Sequence, residues 1–245
     1  MKVILLAAGR GSRLGERTKD RPKCMVEVCG RTLLDRCLES LTQAGISPKQ
    51  IGIVTGYRRE LIHVPGVTEF HNAAWESTNM VCSLLEARDW LEQEPCLVCY
   101  SDIIFSPNAI RALAQTSAPL AVTYYTGFWD LWRARMEDPL SDLETFRIDP
   151  QGMLLEIGKH PTRREDIMGQ YMGLLRFTPE SWAWATETMK SPLPKPLGRL
   201  DMTTLLQGIL DQGHSIAAIA ADDLWLECDT QEDIEVYEKK YRNAL

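Results

Sequence analysis

The chain has 245 residues, 44% of them hydrophobic and 25% charged, with a formal net charge of −7. That balance supports one large α/β domain or two small ones and excludes a disordered or low-complexity protein. The acidic total argues against a nucleic-acid partner, which calls for a basic surface, and no apolar run is long enough to cross a bilayer.

Val3–Ala8 reads as a buried strand, and no cleavage-site pattern follows it, so an untargeted cytoplasmic protein is expected. Thr32–Ala44 is expected to be a helix with Leu33, Leu34, Cys37, Leu38 and Leu41 on one face, stopped by Gly45. Ile51–Thr55 and Val67–Phe70 read as strands, then Thr78–Leu91 as an amphipathic helix. Leu97–Ser101 is a strand, Pro107–Ala114 a helix and Leu120–Tyr124 a strand. Repeated β-α-β with short connections predicts a Rossmann-like three-layer α/β/α fold with a mixed, mainly parallel sheet.

From about 127 to 200 the rhythm breaks. This stretch is rich in Trp, Arg, Asp and Pro, with strands expected at Met153–Ile157 and Met172–Phe177. No flexible linker flanks it, so it reads as a small lid-like insertion in a single domain spanning 1–245. A helix at Asp201–Gln212, a strand at Ile216–Ala220 and a helix from Gln231 close the chain. The seven cysteines are odd in number and scattered among apolar residues, as in a reducing compartment. Cys96 and Cys99 form a C-x-x-C inside a strand-like run, without a second pair or a nearby histidine to complete a zinc site.

The sharpest local feature is Leu6-Ala7-Ala8-Gly9-Arg10-Gly11-Ser12-Arg13-Leu14-Gly15, followed by Arg21-Pro22-Lys23. A buried strand runs into a glycine-rich turn with six cations between Arg10 and Lys23. Small residues let backbone N–H groups approach phosphate oxygens, and Arg13 and Lys23 can add charge-assisted bonds. The glycines are spaced G-x-G-x-x-x-G, which is neither the dinucleotide fingerprint nor a P-loop. Between Asp222 and Glu238 there are eight carboxylates and no Lys or Arg, a stretch that could supply a metal ligand or a solvated face.

The loop, with the later Asn72–Leu84 segment, Tyr100-Ser101-Asp102, Gly169–Gly173, Leu200-Asp201-Met202-Thr203 and Trp225–Thr230, resembles the sugar-nucleotidyltransferase-like superfamily and its phosphocholine and phosphonate cytidylyltransferase branch. The resemblance is weakest between Phe128 and Thr162. It implies transfer of CMP from CTP to a small phosphorylated or phosphonylated acceptor such as phosphocholine or 2-aminoethylphosphonate, with release of pyrophosphate. Its rivals are a sugar-1-phosphate nucleotidyltransferase and a non-catalytic nucleotide binder on the same fold.

The resemblance implies Mg²⁺ on Asp102 and Asp229, with Arg13, Lys23 and Lys159 completing the catalytic set. Asp102 follows an apolar strand, at the end where open α/β sheets bind ligands; an Asp there is otherwise a turn or capping residue. The nucleotide is expected against Leu6, Ala7, Ala8, Gly9, Gly11, Ser12, Arg13, Lys23, Gly56, Tyr57, Thr78, Asn79, Ser83 and Ser101, although Thr78 serves equally as a plain helix cap. The acceptor is expected against Trp129, Asp130, Trp132, Lys159, Tyr171, Asp201 and Glu227. Trp129 and Trp132 would hold an ammonium by cation–π contact, or else pack in the core. Lys159 has a solvated surface position as its alternative. CTP and the acceptor are the expected partners, with no nucleic acid or membrane, and a homodimer is the one further association allowed for.

Overall fold

Val3, Ile4 and Leu5 are fully buried, so the first strand, β1 (Lys2–Ala7), lies inside the molecule with both faces covered. In the computed structural model, which describes residues 1–244, six more strands join it. These are β2 (Ile51–Thr55), β3 (Thr68–His71), β4 (Cys96–Tyr100), β5 (Leu120–Tyr125), β6 (Gln170–Phe177) and β7 (Ala217–Ala221). Their order is β7-β5-β6-β4-β1-β2-β3. All neighbours are parallel except β6, which is antiparallel to both β4 and β5. The sheet is therefore mixed and mainly parallel, as the β-α-β rhythm predicts.

Helices cover both faces. α1 (Leu33–Gln43), α4 (Pro107–Gln115), α5 (Phe128–Arg135) and α8 (Gln231–Lys240) share one core layer with Val3, Leu5 and Ala7. α2 (Met80–Leu85), α3 (Arg88–Gln93), α6 (Pro179–Lys190) and α7 (Met202–Asp211) share the other with Ile4. Successive strand side chains point to opposite faces, which is why neighbouring residues of β1 belong to different layers.

Two expectations change. The helix predicted over Thr78–Leu91 is two helices, separated where Ala87 leaves helical geometry at φ −101, ψ 17. Asn79 rather than Thr78 caps the first, accepting from the Met80 N–H, while the Thr78 hydroxyl donates to the Ala74 carbonyl. The 127–200 region is also more than a lid. Its strand β6 runs through the middle of the sheet, and Met172, Leu174, Leu175 and Phe177 are buried there. Apolar residues on both faces of β6 can be covered only inside the sheet. The rest of the region packs on the two core layers: α5 on one, and the antiparallel pair Phe146–Ile148 with Leu154–Ile157 on the other. Among the described residues no helix is long and apolar enough to cross a membrane.

Candidate active site at the carboxyl ends of the strands

The parallel strands β1, β2 and β4 end on one edge, and antiparallel β6 begins there. The loops leaving those ends carry the motif residues. After β1 the chain turns through Gly11 at φ +72, a left-handed conformation that glycine adopts without strain. A Cβ at Gly11 would lie 2.7 Å from the Lys23 side chain, so the loop can pass over that lysine only at a glycine. The Thr18 hydroxyl donates to the Gly11 carbonyl at 2.9 Å, and the Tyr57 N–H to the Ala8 carbonyl at 3.0 Å.

A short ladder brings the two predicted aspartates together. Ile103–Ile104 pairs antiparallel with Leu226–Glu227, and the Cys228 N–H donates to the Asp102 carbonyl at 3.0 Å. Asp102, just before one strand of the pair, and Asp229, just after the other, therefore sit at the same end of the ladder. Lys23 Nζ donates to Asp102 Oδ2 and to Asp229 Oδ1, both at 2.6 Å, and Arg13 reaches the same Asp229 oxygen at 2.9 Å. Burial alone would lower the pKa of the Lys23 ammonium, but the two carboxylates outweigh it and raise the pKa above the ordinary lysine value. For Asp229 the balance runs the other way in sign: burial pushes its pKa up, and Lys23 and Arg13 pull it below the usual range.

Asp102 Oδ1 is buried and has no hydrogen-bond partner. An orphaned carboxylate oxygen beside a second carboxylate is a donor set that a hard divalent cation fits. Among the described residues no cluster of three or more His, Cys, Asp or Glu forms a metal site, so the pair would need ligands from elsewhere. Mg²⁺ normally takes such ligands from substrate phosphates and water.

Two cavities meet at this point. The smaller, about 560 Å³, is lined by Leu6, Ala8, Gly9, Thr78, Asn79, Ser83 and Asp102, together with Trp75, Met80 and Tyr100. The larger, about 780 Å³, holds Arg13, Trp132, Tyr171, Asp201, Glu227 and Asp229, along with Asp142, Glu144, Gln170 and Gly173. Met80 and Tyr100 belong to both linings and form the wall between them, the Tyr100 hydroxyl donating to the Met80 sulfur. Burial, reinforced by the charges of Asp229 and Asp102, raises the pKa of Glu227. Burial and then the Asp201 charge do the same at Glu144.

Other predicted residues lie elsewhere. Gly56 lies beneath Ala8, and Tyr57 packs on Trp75 at 5.0 Å; neither lines the smaller cavity. Ser101 is buried with its hydroxyl on the Leu6 carbonyl, a support for β1. Ala7, Gly11 and Ser12 likewise shape the loop without lining either cavity. Lys159 is exposed and pairs with Glu156 at 2.5 Å, and it lines neither cavity. Trp129 packs partly against the core with Arg164 over its ring at 4.8 Å, and Asp130 faces solvent. Trp132 faces the larger cavity and is also core: it is buried, stacked on Trp225 at 6.0 Å. Asp142 and Glu144 fall in the part of the sequence with the weakest resemblance, and nothing local marks them. Tyr100 was within reach, since it ends the strand that leads to Asp102.

An open α/β sheet whose strand ends carry a basic glycine loop, two convergent carboxylates and paired cavities has its ligand-binding crevice there, and the comparisons with known proteins make it a nucleotidyltransferase. The chain belongs to the family of the MobA-like NTP transferase domain, whose model matches residues 3–153. It is 31% identical over 259 residues to the CTP:phosphoglutamine cytidylyltransferase of Campylobacter jejuni, covering 98% of this chain and 100% of that protein. To the 2-aminoethylphosphonate cytidylyltransferase of Lancefieldella rimae it is 26% identical over 162 residues, 64% of this chain and 60% of that one. The solved inositol-1-phosphate CTP transferase from T. maritima superposes with a TM-score of 0.75 at 19% identity, covering 97% of this chain and 95% of that one, a likeness of fold.

Proposed function

We propose that this single-domain nucleotidyltransferase moves CMP from CTP to a small acceptor that bears a phosphate or phosphonate and, at its other end, an amine. The observation that carries the reading is Lys23 Nζ, 2.6 Å both from Asp102, which lines the smaller cavity, and from Asp229, which lines the larger. One cavity would take the nucleotide and the other the acceptor, with the reacting phosphorus between them.

An acceptor oxygen attacks the α-phosphorus of CTP; the bond from that phosphorus to the bridging oxygen breaks, and pyrophosphate leaves with the bonding electrons. The attacking oxygen is already ionised near neutral pH, so no general base is required. Catalysis then consists of alignment and charge neutralisation. Lys23 and Arg13 offset the triphosphate charge. Asp102 and Asp229 would hold Mg²⁺, which when bound supplies Lewis-acid neutralisation of the α-phosphate and the incoming anion.

The amine end of the acceptor is supported by the larger cavity, where Asp142, Glu144, Asp201 and Glu227 accompany Trp132 and Tyr171. Carboxylates and aromatic faces suit a cation better than neutral sugar hydroxyls. The relatives named for phosphoglutamine and 2-aminoethylphosphonate support the same class. With Lys159 outside the cavity, Arg13 is the cation that lines it and would meet the acceptor's anionic end.

The test is pyrophosphate release with Mg²⁺, crossing the four ribonucleoside triphosphates with phosphocholine, 2-aminoethylphosphonate and glucose 1-phosphate. Release with CTP and an amine-bearing acceptor is expected. Release confined to glucose 1-phosphate would overturn the acceptor class, and release independent of the base would overturn the choice of CTP.

A further inference from the structure

Five carboxylates line the larger cavity, Asp142, Glu144, Asp201, Glu227 and Asp229, and they differ in what already holds them. Asp229 is taken by Lys23 and Arg13. Asp142 accepts from the Trp132 indole N–H at 2.9 Å. Asp201 pairs with Lys195 and caps α7 by accepting from the Thr204 N–H. Glu227 pairs with Ile103, next to Asp102, and after burial the charges that act on it are those of Asp229 and Asp102, so it stands at the reacting end. Glu144 has no such duty. Among the described residues no Lys or Arg pairs with it, and its carboxylate accepts one long hydrogen bond, from the Thr203 hydroxyl at 3.4 Å.

Glu144 is nonetheless firmly placed. Buried Gln170 clamps its backbone with both ends of the amide: Nε2 donates to the Glu144 carbonyl at 2.6 Å, and Oε1 accepts from the Glu144 N–H at 3.3 Å. Beside it the chain already seats one ammonium, Lys195 on Asp201, and the Thr203 hydroxyl lies 3.4 Å from an oxygen of each carboxylate. The Tyr171 hydroxyl, on the lining of the same cavity, is buried without a hydrogen-bond partner. An unpaired carboxylate and an unpaired hydroxyl can both accept, and an ammonium brings three donors and no acceptor. Burial and then the Asp201 charge raise the pKa of Glu144, as expected of a buried carboxylate that no cation pairs.

We infer that Glu144 receives the amine of the acceptor, with the Tyr171 hydroxyl as the second group that accepts from it, and so selects an amine-bearing acceptor over an apolar one of the same length. The inference rests on the acceptor reading above and deepens it: Arg13 meets the anionic end of the acceptor and Glu144 its cationic end. Gln170 is a positioning residue, acting through the Glu144 backbone rather than on the acceptor.

The test compares kcat/KM for pyrophosphate release from CTP and Mg²⁺ with 2-aminoethylphosphonate and with propylphosphonate, which carries a methyl group in place of the amine. The intact chain and its Glu144→Gln and Glu144→Asp variants are assayed alike. The wild-type chain is expected to favour the amine. Glu144→Gln keeps the shape and removes the charge, and is expected to narrow that ratio about 10–10²-fold, the scale of one hydrogen bond to a charged group. The loss should fall on the KM for the amine and leave the KM for CTP in place. The Tm of Glu144→Gln is expected to match or exceed that of the wild type, since the change removes a buried charge that no cation pairs. Glu144→Asp withdraws the carboxylate by one carbon and is expected to shift the preference toward 3-aminopropylphosphonate. A folded Glu144→Gln that keeps the wild-type ratio, whatever its Tm, would overturn the inference, since Glu144 would then be structural only. If Glu144→Gln fails to fold, Glu144→Asp decides alone, and an unshifted preference overturns the inference. A wild-type chain that uses both acceptors equally, or neither, would overturn the amine-bearing acceptor reading itself.

Discussion

Lys23 is held between two carboxylates at 2.6 Å each, in a place where burial alone would favour loss of its proton. The same contacts join Asp102 and Asp229 through one ammonium, so the lysine organises the pair. Lys23→Ala is expected to lower the rate of pyrophosphate release by about 10²–10³-fold, as for one preorganised donor. Asp102→Asn and Asp229→Asn should each lose most turnover while the far-UV circular dichroism stays that of the wild type. Asp201 illustrates a carboxylate with a structural duty. It caps α7 by accepting from the Thr204 N–H at 2.8 Å and also pairs with Lys195. Burial alone would raise its pKa, but Lys195 and Thr204 outweigh that and lower it. A lowered carboxylate stabilises the fold above the unfolded value, about 3.9 for Asp, and that stabilisation is lost as pH falls through the lower folded value. Asp201→Ala should therefore cost about 1 kcal/mol near neutral pH. Thermal melts of the two proteins should converge as the pH drops below that range.

Between elements, the connection of α5 to α8 is the most demanding contact. Arg135 donates to both oxygens of Asp233, at 2.7 and 3.1 Å, with the two side chains only 2% and 3% exposed. Asp233 also accepts from the N–H groups of Asp229 and Thr230 at 3.0 and 2.9 Å, so the pair secures the turn that presents Asp229. The Arg135 guanidinium lies 4.5 Å over Trp132, which faces the larger cavity. Removing one partner of a buried pair strands the other charge. Arg135→Met is thus expected to destabilise by about 3–5 kcal/mol in urea unfolding, whereas Arg133→Met, on the exposed side of the same helix, should change little.

On the scale of the molecule, the two cavities share one wall, and that wall depends on a bulge in the interior antiparallel strand β6. The register of β6 against β5 shifts between Tyr171 and Leu175, where Gly173 takes φ +74. A Cβ there would lie 2.7 Å from the Tyr100 ring. Gly173→Ala should displace Tyr100 and raise the KM for both nucleotide and acceptor, while a change in either cavity alone raises one. Steady-state kinetics with each substrate varied in turn separates these outcomes.

The β-α-β alternation, the basic glycine loop and the strand-end aspartate are local patterns, and each was legible in the order of residues. Hydrophobic period depends on neighbours a few positions apart, and a turn's glycines follow from its own backbone angles. The strand expected at Met172–Phe177 was legible too, but not its place. Only the packed sheet makes it an interior antiparallel strand. The pairing of Asp102 with Asp229 is a contact across 127 positions made by a two-residue ladder too short to carry a periodic signal. The surface pairing of Lys159 with Glu156, the burial of Trp132 against Trp225 and the arrival of Glu144 at the larger cavity are of the same kind. Such contacts depend on how layers close over one another, and that follows from the packing of all the elements together, not from any one segment's own pattern.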